Sequence, residues 1–309
     1  MSDIITITLN PCIDKSTSVS GIQPDKKLRC TPPVFDPGGG GINVSRAIKN
    51  LGGEALAIYP SGGYSGVFLN QLLARESIPV LNIQTKQHTR ENMIAVDTMC
   101  NQQYRFGMPG PLMEVEEWQR CLEAVEHNDS EYIVASGSLP PGVPVDFYAK
   151  LALIAKRDKR KLIVDTSGEA LRHAVKEGVY LIKPNLGELS SLVGENELET
   201  NEIEPIAKDL ILNGGSEIVV VSLGAQGAML ITKDVTYKVD APIVKRKTTV
   251  GAGDSMVAGI VFSITQGENL RHVLRYGVAC GTAATLNAGT SLCSRQDVER
   301  LYKQIQNEK

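Results

Sequence analysis

Short apolar runs alternate with helical patterns along nearly the whole chain, and nothing else in the sequence constrains the fold as tightly. The runs Ile4–Leu9, Ala55–Tyr59, Tyr132–Ala135, Leu162–Asp165, Tyr180–Ile182 and Ile218–Ser222 are bounded by Gly, Pro, Asn or Ser. They are continuous rather than alternating, which predicts strands buried on both faces. Helical spacing predicts helices at Ile42–Leu51, Val67–Arg75, Val115–Glu126, Val145–Arg157, Glu188–Leu192, Ile203–Leu212, Gly253–Gln266, Leu270–Leu286 and Arg295–Gln304. Parallel neighbours need a crossover connection, so this order predicts an α/β fold: a doubly wound, mostly parallel sheet with helices on both faces. Ligands of such sheets bind beyond the carboxyl ends of the strands, so the loops there are the first place to look for chemistry. With 309 residues, 42% of them hydrophobic, the chain can bury one large core or two.

Two stretches break the alternation. Lys15–Asp36 is rich in Pro and polar residues, and His88–Phe106 reads as a hairpin around Cys100-Asn101-Gln102-Gln103. In the hairpin Ile94 and Val96 fall on one face, while Met93, Ala95 and Met99 fall on the other. An exposed sheet has no reason to be apolar on both faces. The two insertions, at about 11–36 and 88–107, are therefore expected to form a small β-sheet lid. One of its faces would cover the active site and the other a second subunit, giving a homodimer. The plainer alternative is a pair of edge strands extending the main sheet.

The charge balance narrows the function classes. The chain carries 32 Lys and Arg against 35 Asp and Glu, with no long like-charge block, which argues against nucleic acid or a membrane as partner. Six cysteines (Cys12, Cys30, Cys100, Cys121, Cys280, Cys293) include no C-x-x-C pair, so they are expected to be reduced packing residues rather than a zinc site or a disulfide framework. The opening Met1-Ser2-Asp3 and the apolar run after it do not resemble a signal peptide, and no stretch reaches membrane-spanning length. A cytoplasmic enzyme is expected.

Two glycine-rich segments carry the chemistry. Thr248-Thr249-Val250-Gly251-Ala252-Gly253-Asp254-Ser255 runs straight into the apolar helix pattern Met256–Ile264. Glycines just before a helix expose backbone N–H groups at the positive end of its dipole, a ready anion site. Asp254 in the first turn is either an N-terminal cap or, beside that anion hole, the base that takes a proton from an attacking hydroxyl. The second segment is Pro37-Gly38-Gly39-Gly40-Gly41-Ile42-Asn43-Val44-Ser45-Arg46-Ala47. Its glycines let a polyhydroxylated ligand approach the backbone closely. Neither segment fits G-x-G-x-x-G or the P-loop pattern, so nicotinamide chemistry and P-loop ATPase mechanics lose ground.

These segments stand in order with four more: Asn10-Pro11-Cys12-Ile13-Asp14, Gly137-Ser138-Leu139-Pro140-Pro141-Gly142, Lys183-Pro184-Asn185-Leu186-Gly187-Glu188 and Ser222-Leu223-Gly224-Ala225-Gln226-Gly227. On them the chain resembles the PfkB carbohydrate kinases, of ribokinase-like fold, over essentially its whole length. The resemblance implies a single kinase domain over residues 1–309. Lys27-Leu28-Arg29-Cys30, the four-glycine run, Gln103-Tyr104-Arg105-Phe106 and Met108-Pro109-Gly110 look most like the 6-phosphofructokinases of that family. Fructose 6-phosphate is thus the expected acceptor, with fructose 1-phosphate and tagatose 6-phosphate as alternatives.

The same resemblance assigns roles. Asp254 would be the base, with Gly251, Ala252 and Gly253 as the anion hole. Asp14, Gly39 and Asn43 would bind sugar hydroxyls; Lys27, Arg90, Ser138 and, less directly, Arg105 would hold the substrate's own phosphate, whose dianion favours a cationic fork. Lys183, Asn185, Ser222, Gly224 and Gly227 match ATP-contacting positions. Glu188 resembles the residue that organises Mg²⁺, which favours sparse carboxylate and phosphate ligation. Thr248, Val250, Ala284, Asn287, Gly289 and Ser291 correspond to a loop that binds K⁺ in this family. Gly187 and Gln23 depart from basic and aromatic residues associated with inhibition by a second ATP, so inhibition of that form is in doubt.

Overall fold

The structure, a computed structural model, describes residues 3–287 and 289–307. Its elements follow in chain order: β1 (Ile4–Ile7), β2 (Cys12–Val19), β3 (Val34–Gly38), α1 (Gly40–Asn50), β4 (Leu56–Gly62), α2 (Gly63–Arg75), β5 (Val80–Thr85), β6 (Arg90–Asp97), β7 (Gln102–Phe106) and α3 (Val115–Glu126). Then come β8 (Tyr132–Ser136), α4 (Phe147–Arg157), β9 (Lys161–Asp165), α5 (Gly168–Glu177), β10 (Val179–Ile182), α6 (Leu186–Val193), α7 (Ile203–Leu212) and β11 (Ser216–Ser222). The chain closes with β12 (Ala228–Ile231), β13 (Thr236–Val239), α8 (Ala252–Thr265), α9 (Leu270–Ala284) and α10 (Arg295–Asn307).

Nine strands form the main sheet in the order β13-β12-β11-β10-β9-β8-β1-β4-β5. From β11 to β5 every pairing is parallel, because a helix intervenes between sequential neighbours; β12 and β13 follow by short turns and pair antiparallel. Helices cover both faces. On one side α1, α8, α9 and α10 pack around Ile163, Leu181 and Val220. On the other α3, α4, α5, α6 and α7 pack around Ile133, Val164 and Val219. Adjacent residues Ile163 and Val164 of β9 thus feed opposite cores, which explains why the strand reads as a continuous apolar run. Helix α8 is buried from Ser255 to Val261, since it runs beneath the sheet with α9 on its far side.

Four elements lie beyond the sequence reading. Helix α5 buries only Ala170, Leu171, Ala174 and Val175, a stripe too slight to stand out. Strand β5 is a half-exposed edge, and β12 and β13 form a hairpin where the helical alternation led one to expect none.

The two insertions do form a separate sheet, ordered β3-β2-β6-β7, rather than edge strands of the main one. The parallel pairing of β2 with β6 ties one insertion to the other. Register puts Asp14 opposite Asn92, and Ser16 opposite Ile94, which faces Arg105 in turn. That face looks inward: Asp36 accepts from Thr290 at 2.6 Å and Arg105 donates to Thr249 at 3.1 Å. Lys15, Met93, Phe106, Ala95 and Tyr104 share the outer face, where Phe106 is 49% and Tyr104 37% exposed. All six cysteines are free; Cys12, Cys121, Cys280 and Cys293 are buried as expected, while Cys30 and Cys100 are exposed on the lid.

Candidate active site

Two clefts meet at the amino end of α8. Gly251, in the left-handed conformation at φ 71°, caps the helix and turns the chain so that Ala252, Gly253 and Asp254 form its first turn. Ala252 and Gly253 line one cleft and Asp254 lines the other. The cap reading of Asp254 fails on geometry. Its carboxylate caps no helix N–H but accepts from Asn43 Nδ2 at 2.9 Å.

The lid-side cleft, about 370 Å³, collects polar side chains from both sheets. Asp14, buried in β2, accepts from Asn92 Nδ2 at 2.9 Å and from the Cys12 thiol at 3.3 Å. Asn92 also accepts from the Met108 N–H at 3.0 Å, and the Met108 carbonyl accepts from Arg90 Nη1 at 3.1 Å. Arg90 Nη2 donates to the Asn10 carbonyl at 2.9 Å, and Ser138 accepts from Asn10 Nδ2 at 3.0 Å. These bonds hold Arg90, Ser138, Asp14 and Asn43 around one space. The glycine run forms its floor: a Cβ on Gly40 would stand 2.9 Å from the Gly137 nitrogen, so only glycine lets the two loops meet.

At the floor's far side Lys183 Nζ pairs with Asp165 at 3.1 Å, both largely out of solvent. Burial alone would depress the Lys183 ammonium, but Asp165, with Glu188 and Asp254 nearby, holds it above its ordinary value. Burial and the charge of Asp165 push Asp254 up to about 6, against the opposing pull of the Asn43 hydrogen bond and of Lys183. Burial likewise pushes the Cys12 thiol well up, so it acts here as a neutral donor.

The second cleft, about 310 Å³, is of another character. Gly224, Gly227 and Ser222 offer backbone and a hydroxyl, whereas Ile243, Val244, Met256 and Val278 supply apolar walls. A Cβ on Gly227 would collide with the Val239 carbonyl, and its φ of 88° independently requires glycine. Asn185 bridges to Ser222 at the cleft's edge and caps α6, with Glu188 completing the capping box at 2.8 and 2.9 Å. Glu188 is therefore anchored by one oxygen, and it lines the lid-side cleft.

Near the amino end of α8, Lys247 and Thr248 adjoin Thr285, and Asn287 adjoins Leu292. The Thr285 carbonyl accepts from Lys247 at 2.8 Å, and Asn287 donates to the Leu292 carbonyl at 2.8 Å. Of the six residues expected around K⁺, Thr248 donates its N–H to the Thr285 carbonyl, next to Ala284, and its hydroxyl accepts from the Val250 N–H at 3.1 Å; Asn287, Gly289 and Ser291 come later in the chain, where the Asp36 carboxylate accepts from Thr290.

Two expected residues are placed elsewhere. Lys27 is exposed in the β2–β3 connection and does not line the cleft within one chain. Arg105 reaches Gln103 and Thr249 rather than the Arg90–Ser138 pocket, because it pairs with Ile94, four residues beyond Arg90 along β6. Asn92 and Asp165 were not anticipated. A polar residue in an apolar hairpin strand, and an aspartate ending a buried strand, are the signals that would have found them.

Comparison with known proteins gives a concordant picture. A model described as pfkB family carbohydrate kinase matches residues 3–297. The ATP-dependent 6-phosphofructokinase isozyme 2 of Escherichia coli (strain K12) is 44% identical over 304 residues, 98% of each chain. The crystal structure of phosphofructokinase-2 from Escherichia coli in complex with potassium is similar at 43% identity and TM-score 0.96, covering 99% of this chain and 100% of that one. The same enzyme in complex with fructose-6-phosphate is similar at 41% identity and TM-score 0.94, with the same coverage.

Proposed function

The chain belongs to the pfkB family of carbohydrate kinases, and on that premise we propose that it transfers the γ-phosphoryl group of ATP to the C1 hydroxyl of fructose 6-phosphate. The observation that carries the reading is the split of three consecutive residues between two clefts: Ala252 and Gly253 face the apolar, glycine-edged one, and Asp254 faces the polar one. ATP belongs in the first and the phosphosugar in the second. Asp254 takes the hydroxyl proton as the sugar oxygen bonds to the γ-phosphorus, the bond to the bridging oxygen breaks, and ADP leaves. The amides of Gly251, Ala252 and Gly253, at the helix's positive end, hold the charge of the group in flight. Asp14 and Asn43 orient the sugar hydroxyls with the Gly39 backbone, and Arg90 and Ser138 receive its phosphate. Lys183, held charged by Asp165, adds a cation beside Gly253.

Two ions fit the residues present. Mg²⁺ on the nucleotide would need few protein ligands, and Glu188, anchored at one oxygen by the capping box, would have its other oxygen to help hold it. The hydroxyl, carboxamide and carbonyl oxygens of Thr248, Val250, Ala284, Asn287, Gly289 and Ser291 suit a hard monovalent cation such as K⁺. Its charge would steady the anion hole above it.

The outer lid face supports a homodimer joined lid to lid, in which the exposed Lys27 of one chain is free to serve outside its own cleft. Among the described residues no helix is long and apolar enough to cross a membrane, and a cytoplasmic setting belongs to the same proposal. ADP release measured with fructose 6-phosphate, fructose 1-phosphate, tagatose 6-phosphate and fructose tests the whole reading. The highest kcat/KM is expected for fructose 6-phosphate. A higher value for either other phosphosugar transfers the assignment to that branch, and no release with any of them ends it.

A further inference from the structure

Beneath the glycine run, α1 buries an arginine. Arg46 is 7% exposed and touches neither cleft, yet each edge of its guanidinium is engaged. Outward, Nε and Nη2 donate to the two oxygens of Glu76 at 2.8 and 2.7 Å. Inward, Nη1 donates to the Pro37 carbonyl at 2.9 Å and to Asn43 Oδ1 at 3.3 Å. Asn43 in turn gives its Nδ2 to Asp254.

We propose that Arg46 is a positioning residue of the reaction: it fixes the Asn43 carboxamide so that nitrogen, not oxygen, faces Asp254. A carboxamide has an acceptor end and a donor end of nearly equal size. Turned over, Asn43 would set Oδ1 against the Asp254 carboxylate, two acceptors face to face. Arginine carries donors only, so Nη1 tolerates Oδ1 and rejects the amide nitrogen. Glu76 holds the guanidinium from behind as a bidentate partner, which leaves Nη1 no freedom to follow a turned amide. Asp36 adds a branch. One of its oxygens lies 3.9 Å from Arg46 Nη2 while the other accepts from Thr290, between Gly289 and Ser291.

This rests on Asp254 as the base and Asn43 as a sugar contact, and the test separates the two. Steady-state kinetics and melting temperatures are measured for Arg46→Lys and Arg46→Met, each alone and combined with Asn43→Ala. Lysine keeps the charge beside Glu76 but loses the fork, so Arg46→Lys is the variant expected to fold, and it decides the matter if Arg46→Met does not. In the parent, kcat/KM for fructose 6-phosphate should fall about tenfold to 100-fold, the loss expected of a small misplacement, with the KM for ATP within about twofold. In the Asn43→Ala background the same substitution should cost under about threefold, since no amide remains to orient. An equal loss in both backgrounds overturns the proposal. So does a lowered melting temperature with parental kinetics, the result of a merely structural arginine. A failed base assignment is seen separately, as a near-normal kcat in Asp254→Asn.

Discussion

The cleft we assign to the sugar is lined by Asp14, Asn43, Arg90, Asn92 and Asp165, whereas the one we assign to the nucleotide is lined by glycine backbone and by Ile243, Val244, Met256 and Val278. The first would recognise its ligand with charged and amide groups that already have protein partners, so removing one side chain leaves a partner unsatisfied in a closed space. The second would recognise its ligand through main-chain amides, which no side-chain deletion removes, and through apolar contact shared among several side chains. Its natural perturbation is the addition of a Cβ. Side-chain deletions on the sugar side should therefore separate sugar from nucleotide kinetics cleanly, and Asp254, which stands at the border, should spare both affinities while stopping the chemistry.

The largest effect is expected from Asp254→Asn. The shape is kept and the base is lost, so kcat should fall by about 10²–10⁴ with both ligands still bound, measured by steady-state kinetics and separate titrations. A pH profile sharpens this. The base must be ionised, so the parent's kcat should fall as pH drops through about 6, where Asp254 titrates. Stability moves the other way: between the ordinary value of 3.8 and about 6 the folded chain binds the proton more readily than the unfolded one, so this group's contribution to stability grows as pH falls through that window. Asp254→Asn should flatten both limbs.

Next is Arg90→Ala, expected to cost about 1.5–3 kcal/mol of phosphosugar binding, the worth of a charge-assisted bond, and to leave ATP affinity nearly unchanged. Here the comparison can break. Arg90 also ties the Met108 and Asn10 carbonyls together, so equal losses in the two titrations would mean that it braces the cleft rather than reading the phosphate.

The two clefts were not equally legible in the sequence. The nucleotide side is made of local signals: glycines of fixed conformation at Gly224, Gly227 and Gly251, each followed by its element within a few residues. Glycine patterns of that kind survive in a linear reading. On the sugar side the individual groups stood out, but their pairings did not, because Asn43 meets Asp254 across 211 residues and Asn92 meets Asp14 across 78. Arg46 was visible only as part of a motif, since nothing in sequence tells a buried arginine from an exposed one. The buried strands feeding the sheet were plain from their composition, while α5 and the β12–β13 hairpin were hidden by short stripes and by an alternation that ends before the chain does.

The lid's two faces extend the comparison to assembly. Met93→Asp with Ala95→Asp places charge on the outer face, Ile94→Asp with Val96→Asp on the inner. Sedimentation should find monomers for the outer pair, with activity lowered about tenfold if an unsupported lid closes only a tenth of the time. The inner pair should remain dimeric and lose sugar affinity instead. A parent protein that sediments as a fully active monomer at micromolar concentration would refute the lid interface.

The smallest effect tests the border itself. Arg105 stands on the inner lid face, in the hairpin that also carries Arg90, yet its exposed guanidinium donates to Thr249 in the loop before the anion hole. If it belongs to the phosphate pocket, Arg105→Ala should behave as a weaker Arg90→Ala and raise the sugar KM alone. If the contact with Thr249 is what matters, the substitution removes one solvent-screened hydrogen bond between lid and nucleotide loop, worth about 0.5–1 kcal/mol. Closing the lid is shared by both ligands, so the sugar and ATP KM values should then rise together, by about two- to fivefold, with kcat little changed. The geometry favours the second outcome, and Thr249→Val, which deletes the acceptor without touching the lid, should reproduce it. A sugar-only effect of Arg105→Ala that Thr249→Val does not share would return Arg105 to the phosphate.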